Sequence, residues 1–192
     1  MACARPRSLQ RRSPKARQTP LAMITSEQAD RIKGRQVGRQ DKELRLTIEL
    51  VPKTSWGANL RSLMSNAAWD KTRKQAYTQY GNKCGICRAK GRLNCHEIWE
   101  YDDKRHIQKL ACFIALCDLC HHVKHFGLAN ILAAEGKLNL EEVVEHFLKV
   151  NECDRGAFES HADQAAAKWR ERSQYDWKVE LGEFKGLLKV DS

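Results

Sequence analysis

Two cysteine pairs with identical spacing constrain this chain more than any other feature. Cys84 and Cys87 form the first pair, Cys117 and Cys120 form the second, and 29 residues lie between them. A gap of two residues lets both thiolates of one turn reach a single ion, so that two such turns complete a tetrahedral zinc site. The intervening length suits a two-stranded hairpin. The spacing therefore predicts a structural Zn²⁺ that joins the base of a hairpin to the start of a helix.

Two other chemistries use similar cysteine patterns and stay open as alternatives. Cys117, Cys120 and His121 spell the attachment sequence of c-type haem, but that chemistry leaves the first cysteine pair unexplained. A redox dithiol is the second alternative, although such a pair usually stands alone in a βαβ context that this sequence lacks. Zinc is favoured because it accounts for all four cysteines.

Alternating apolar residues predict strands in several segments. The alternation over 43–51 predicts a half-buried strand, and the segment 177–181 could pair with it as a short additional strand pair. Between the cysteine pairs, a strand over 93–98 and a second strand within 107–116 are expected to form the hairpin. Residues 101–104 are polar and are expected to form its connecting loop.

Polar capping residues mark the expected helices. One helix follows Cys117 and carries His121, His122 and His125. Another follows Gly127, within an expected helical C-terminal region 127–192. The residues suited to cap further helices are Ser55, Ser65, Asn139 and Asp154. The predicted fold class is α+β, with a zinc-clipped hairpin-and-helix core and flanking helices.

The net charge of +10 is concentrated at the N-terminus. Residues 1–40 contain ten Lys or Arg and two acidic residues, so we predict a disordered basic extension ahead of a domain spanning 41–192. Arg11 and Arg12 are candidates for phosphate contacts, although an extension without a partner is the alternative. Residues 1–22 share their Arg content with transit peptides, or precede a native start at Met23. The absence of a long apolar run predicts a cytoplasmic protein without a membrane partner.

The residues between and after the cysteine pairs resemble a known family. The first strand carries the sequence Asn94-Cys95-His96-Glu97-Ile98-Trp99, and the following helix opens with Leu116-Cys117-x-x-Cys120-His121-x-x-Lys124-His125. This arrangement resembles the HNH endonucleases, which have the ββα-metal fold, and more narrowly a bacterial and phage group of HNH-like proteins. The resemblance is firmest over 84–126, where it implies an HNH-like core.

The resemblance implies metal-dependent hydrolysis of phosphodiester bonds in nucleic acid, with DNA as the expected substrate. His96 would be the catalytic base, because an imidazole titrates near neutral pH. A catalytic Mg²⁺ or another divalent ion would be held by the helix and the strand. The candidate ligands of that ion are His121, Cys95, Glu97 and His125. Lys124 would contact the nucleic acid.

One part of the family pattern is missing from this chain. The family places an Asn between the strand histidine and the helix, whereas no Asn occurs between Asn94 and Asn130. Gln108 is the nearest amide that could orient His96. The alternative function is therefore a non-catalytic zinc module, derived from the HNH fold, that binds nucleic acid or protein. The sequence does not determine the oligomeric state.

Overall fold

The computed structural model describes residues 43–55 and 60–187, and its fold is α+β as predicted. The helices are α1 (Leu60–Leu63), α2 (Asn66–Gln79), α3 (Asp118–Lys124), α4 (Phe126–Ala134), α5 (Leu140–Asn151) and α6 (Arg155–Arg172). The strands are β1 (Asn94–Asp102), β2 (Ile107–Leu116) and β3 (Lys178–Glu180), and two 3-10 turns span Lys53–Ser55 and Gly182–Leu187. The predicted basic extension, with Arg11 and Arg12, lies outside the described residues.

Strands β1 and β2 form the antiparallel hairpin that was expected between the cysteine pairs. Asn94 pairs with Leu116 at its base, and Asp102 pairs with Ile107 at its tip. The register shifts after Ile98, where Ala111 is an extra residue in β2 and forms a bulge. The connecting loop spans 103–106 and lies two residues later than predicted, because β1 continues through Asp102.

The segment 43–51 is not a strand, and this prediction was wrong. Leu46 and Ile48 are buried, as the alternation required. Side chains rather than a neighbouring strand satisfy the backbone, since the amide of Asn151 bonds both Arg45 and Leu46 and the Nε2 atom of His161 accepts from the N–H of Ile48 at 2.9 Å. A period of two predicts which side chains are buried, but it does not identify the partners of the backbone groups.

Strand β3 also has a different partner from the one predicted. It pairs in parallel with the start of β2, where Ile107 is opposite Lys178 and Lys109 is opposite Glu180. The three strands form one sheet in the order β1-β2-β3. The expected pairing with 43–51 does not form, and backbone groups of Arg45, Leu46 and Ile48 bond instead to the side chains of Asn151 and His161.

Three of the four predicted helix caps are confirmed. The side chains of Ser65, Asn139 and Asp154 accept hydrogen bonds from backbone N–H groups of the first turns of α2, α5 and α6. Such caps contribute about 1 kcal/mol each. Ser55 instead ends a 3-10 turn, and residues 56–59 lie outside the described residues.

The two faces of the hairpin pack against two separate hydrophobic clusters. One cluster contains Leu116 with residues of α3, α5 and α6, and it includes Cys84 and Cys120. The other contains Leu110 and Phe113 with residues of α1 and α2, and Cys95 and Trp99 pack against it. Successive residues of β1 therefore face different clusters. Within the described part of the chain, no helix is long and apolar enough to cross a membrane.

Candidate metal centres

The four cysteines of the two pairs come together as the sequence predicted. One potential ligand atom from each of Cys84, Cys87, Cys117 and Cys120 lies within 4.8 Å of the others. The Sγ atoms of Cys87 and Cys117 are 3.5 Å apart. In a tetrahedral site with zinc–sulfur bonds of about 2.3 Å, the sulfur atoms are separated by about 3.8 Å. The four cysteines are thus placed so that they could hold a zinc ion.

The local backbone explains why both turns present their sulfur atoms to one point. In the first turn, Cys84 donates its N–H to Ala89 and accepts from Arg88, whose φ of +65° closes the turn. The N–H of Gly85 donates to Ala115 of β2 at 2.7 Å, which fixes the turn against the hairpin. In the second turn, the Sγ atom of Cys117 accepts from the N–H of Cys120 at 3.5 Å and caps α3.

The close approach of the thiols changes their pKa values. Hydrogen bonds from Cys117 and Cys120 lower the pKa of Cys84. Hydrogen bonding with Cys117 and Cys84 raises the pKa of Cys120. The cluster therefore stabilises one thiolate and opposes further ionisation, since negative charges at this distance repel one another. A divalent cation removes that opposition, so the chemistry of this donor set fits zinc.

Basic side chains lie beside the four-cysteine cluster. The Nε2 atom of His146 lies 3.1 Å from the Sγ atom of Cys120. His146, Arg45 and Lys149 also line a cavity of about 260 Å³ next to Cys87. A zinc ion with four thiolates carries a net negative charge, and positive or N–H-donating groups near the sulfur atoms offset it.

Three histidines form a second cluster with the geometry of a metal site. The ring nitrogens of His96, His121 and His125 offer one atom each within 4.8 Å of one another. His96 comes from β1, and His121 and His125 lie four residues apart on one side of α3, with His125 capping its C-terminal end. The Nδ1 atom of His96 is 3.1 Å from the Nε2 atom of His125.

Two of the three histidines, His121 and His125, are held in their neutral form. Burial lowers the pKa of His121 to about 3 and that of His125 to about 4, and the neighbouring imidazoles add to both shifts. A neutral imidazole has a lone pair available on one ring nitrogen, and this is the state that binds metal ions. His121 and His125 are accordingly each able to donate a nitrogen ligand at neutral pH.

Glu49, which no sequence pattern singled out, also contacts this cluster. Its Oε2 atom lies 3.1 Å from the Nε2 atom of His96, and its Oε1 atom forms an ion pair with the Nζ atom of Lys124. Burial alone would raise the pKa of Glu49, but the hydrogen bond to His96 and the charge of Lys124 lower it to about 2. The alternation over 43–51 placed Glu49 on the exposed side, so no local pattern in the sequence indicated this role.

Cys95 and Glu97 do not lie with His121, and their prediction as ligands of the same ion was wrong. They flank His96 in β1 and therefore face the opposite side of the hairpin. Glu97 accepts hydrogen bonds from the N–H of Leu60 and the indole of Trp99, at 3.1 and 3.3 Å. Burial raises the pKa of Glu97 and also raises that of Cys95 to about 12, where the charge of Glu97 adds to the effect.

Lys124 is not placed to contact nucleic acid, which corrects a second prediction. Only 5% of the residue is exposed. Its ammonium group donates to the hydroxyl of Thr47 at 3.0 Å and to Glu49. Gln108 does not orient His96 either, because it pairs with Tyr101 near the hairpin tip while His96 pairs with Ile114 near the base.

Comparisons with models of known protein families, with characterised proteins and with solved structures found no match to this chain. The resemblance to HNH endonucleases therefore remains a prediction from the sequence. The predicted residues that the structure does bring together fall into two groups, the four cysteines and the three histidines.

Proposed function

We propose that this chain is a metal-dependent nuclease that hydrolyses phosphodiester bonds in nucleic acid, with DNA as the expected substrate. The observation that carries the proposal is the presence of two different donor sets on one short helix. Cys117 and Cys120 at the start of α3 belong to the sulfur cluster, and His121 and His125 belong to the imidazole cluster. Four thiolates make a closed structural site, whereas three protein ligands leave a coordination position for water or substrate.

The imidazole donors affect which ion this second site would take. Three imidazole nitrogen ligands suit Zn²⁺, Ni²⁺ and similar ions better than Mg²⁺, which prefers oxygen ligands. The contribution expected of Mg²⁺ from the family resemblance is therefore reassigned to a borderline transition-metal ion. When bound, such an ion would lower the pKa of the attacking water and stabilise the negative charge that develops on the phosphate.

His96 takes a different role in this proposal from the one that the sequence predicted. Both of its ring nitrogens are engaged, Nε2 with Glu49 and Nδ1 within 3.1 Å of His125. The residue is also only 5% exposed. We therefore assign His96 as the third ligand, with the base role as the alternative. In this proposal, the protein holds one lone pair from each of the three imidazoles at one point and keeps the hairpin and α3 in register.

The test is a comparison of His121→Ala with His122→Ala. His121 belongs to the cluster, whereas its neighbour His122 does not. The wild-type protein should hold one zinc tightly and should nick plasmid DNA when Mn²⁺, Ni²⁺ or Zn²⁺ is added. His121→Ala should keep the tight zinc and the fold but lose cleavage, and His122→Ala should behave like the wild type. Undiminished cleavage by His121→Ala would rule the proposal out.

The non-catalytic zinc module is the second candidate function. The burial of Lys124 favours it, because this side chain was the phosphate contact expected within the core. The four-cysteine zinc would then hold a surface together and the histidine cluster would have no reaction to perform. Retardation of DNA on a gel, with no cleavage in any divalent ion, would select this function over the nuclease.

A further inference from the structure

Glu49 contacts both of the elements that supply the three histidines. Its Oε2 atom lies 3.1 Å from the Nε2 atom of His96 on β1. Its Oε1 atom forms an ion pair with Lys124 on α3, and its backbone N–H donates to the carbonyl of Lys124 at 3.0 Å. The residue thereby ties the hairpin to the helix at the point where the imidazoles meet.

We infer that Glu49 is a positioning residue, which fixes the ring tautomer of His96 so that the lone pair on Nδ1 faces His121 and His125. The importance of Glu49 for metal binding rests on the proposed function, but its contacts with His96 and Lys124 do not. A carboxylate accepts hydrogen bonds and does not donate them. The proton of a neutral His96 must therefore lie on Nε2, which leaves the lone pair on Nδ1.

The distances agree with a shared ion. Two imidazole nitrogens bound to one ion at about 2.0–2.1 Å are separated by about 2.9–3.4 Å, depending on the coordination geometry. The Nδ1 atom of His96 and the Nε2 atom of His125 are 3.1 Å apart. Histidines that bind metal ions usually donate their second N–H to a carboxylate or a carbonyl group, and Glu49 supplies such an acceptor.

Lys124 determines which oxygen of Glu49 faces His96. Its buried ammonium group is held by Thr47 and by the Oε1 atom of Glu49. With Oε1 engaged, Oε2 is the atom left for His96. Thr47 and Glu49 both belong to the segment 43–51, so this segment supplies the side chains that bind Lys124 and His96. Glu49 thus performs the orienting role for which the sequence offered only Gln108.

The experiment uses the full chain with one zinc per molecule and ¹⁵N-labelled histidine. Long-range ¹H–¹⁵N correlation spectra distinguish the two tautomers, and the wild-type His96 should carry its proton on Nε2. In Glu49→Gln, Lys124 still binds the side-chain oxygen, so the amide NH₂ faces His96 and should move the proton to Nδ1. The affinity of the histidine cluster for added Co²⁺, followed by its visible absorption, should fall about 10–100-fold while the zinc is retained.

Glu135→Gln is the matched control, because Glu135 also pairs with a lysine, Lys137 at 2.7 Å, but on the surface. It should change neither the tautomer nor the Co²⁺ affinity. A wild-type His96 with its proton on Nδ1 would overturn the inference, and so would wild-type spectra and affinity in Glu49→Gln. If Glu49→Gln does not fold, the wild-type tautomer decides. A wild-type protein that binds no Co²⁺ would count against the proposed function, whereas the tautomer would still test the role of Glu49.

Discussion

Asn151 on α5 bonds both backbone groups of Leu46, accepting from its N–H at 3.0 Å and donating to its carbonyl at 2.9 Å. The same Oδ1 atom accepts from the N–H of Arg45 at 2.9 Å. A side-chain amide thus makes the hydrogen bonds that a neighbouring strand would otherwise make. Because the segment 43–51 also carries Glu49, Asn151 helps to determine where Glu49 meets the histidine cluster.

We expect Asn151→Ala to destabilise the fold by about 2–4 kcal/mol, because it leaves buried backbone groups without partners. Asn151 is 3% exposed, so water cannot easily replace the amide. Urea denaturation, followed by circular dichroism, measures the change in the free energy of unfolding. Asn130→Ala is the control, since the amide of Asn130 makes an exposed hydrogen bond to Phe126 within α4 and its loss should cost under about 1 kcal/mol. Equal effects of the two substitutions would contradict this account.

Because Cys117 belongs to the four-cysteine cluster, we expect Cys117→Ser to remove one zinc per molecule and to lower the thermal stability of the protein strongly. Cys117 both caps α3 and supplies a sulfur atom, so its loss affects the helix and the metal together. Elemental analysis and thermal melting measure the two effects. Cys95→Ser provides the matched control, because Cys95 lies on the other face of the hairpin. If Cys95→Ser loses the zinc and Cys117→Ser keeps it, the assignment of the ligands is wrong.

Local patterns predicted the elements of this fold better than their partners. The grouping of the four cysteines and the presence of a strand within 107–116 were predicted correctly, because both signals depend on neighbouring residues. Caps such as Ser65 were correct for the same reason, since the bond joins Ser65 to Ala68. The prediction of a strand over 43–51 was wrong because the partners of this segment, Asn151 and His161, are more than 100 residues away in sequence.

The candidate site shows the same division between local and distant information. The i and i+4 spacing placed His121 and His125 together, and the hairpin brought His96 to them. Cys95 and Glu97 were included because they are adjacent to His96 in sequence, although strand geometry directs adjacent side chains to opposite faces. Glu49 could not be found from a local pattern, because its contact with His96 spans 47 positions.

Gly85 lies in the turn that carries Cys84 and Cys87, where this turn packs against the hairpin. We expect Gly85→Ala to lower the stability of the fold and to weaken zinc binding. An added Cβ atom would lie 2.7 Å from Cγ1 of Ile114 and 2.8 Å from Cδ1 of Tyr80. The resulting displacement should cost about 1–3 kcal/mol and increase the rate of zinc release to a chelator. Thermal melting and a chromogenic zinc indicator measure these changes.

Gly127→Ala is the matched control for that substitution. Its added Cβ atom would meet Cδ2 of Leu50 at an ordinary contact distance of 3.5 Å, and the residue lies within α4. Because alanine favours helix more than glycine does, this variant should be as stable as the wild type or more stable by up to about 1 kcal/mol. A larger loss of stability in Gly127→Ala than in Gly85→Ala would show that the close packing around Gly85 does not matter.

Binding to nucleic acid should depend on the basic N-terminal residues and not on Lys124. Residues 1–40 contribute ten Lys or Arg, including Arg11 and Arg12, against two acidic residues. Each phosphate that a protein neutralises contributes about −0.9 to the slope of log K against log salt concentration on duplex DNA. Deletion of residues 1–40 should therefore weaken binding and make this slope less steep by several units.

Lys124→Met, tested below its melting temperature, should leave the slope unchanged because Nζ is already bonded to Thr47 and Glu49. Fluorescence anisotropy with a labelled DNA duplex, at salt concentrations from about 50 to about 200 mM, measures the slope for both variants. A Lys124→Met slope that falls by about one unit would show that this ammonium group reaches a phosphate after all.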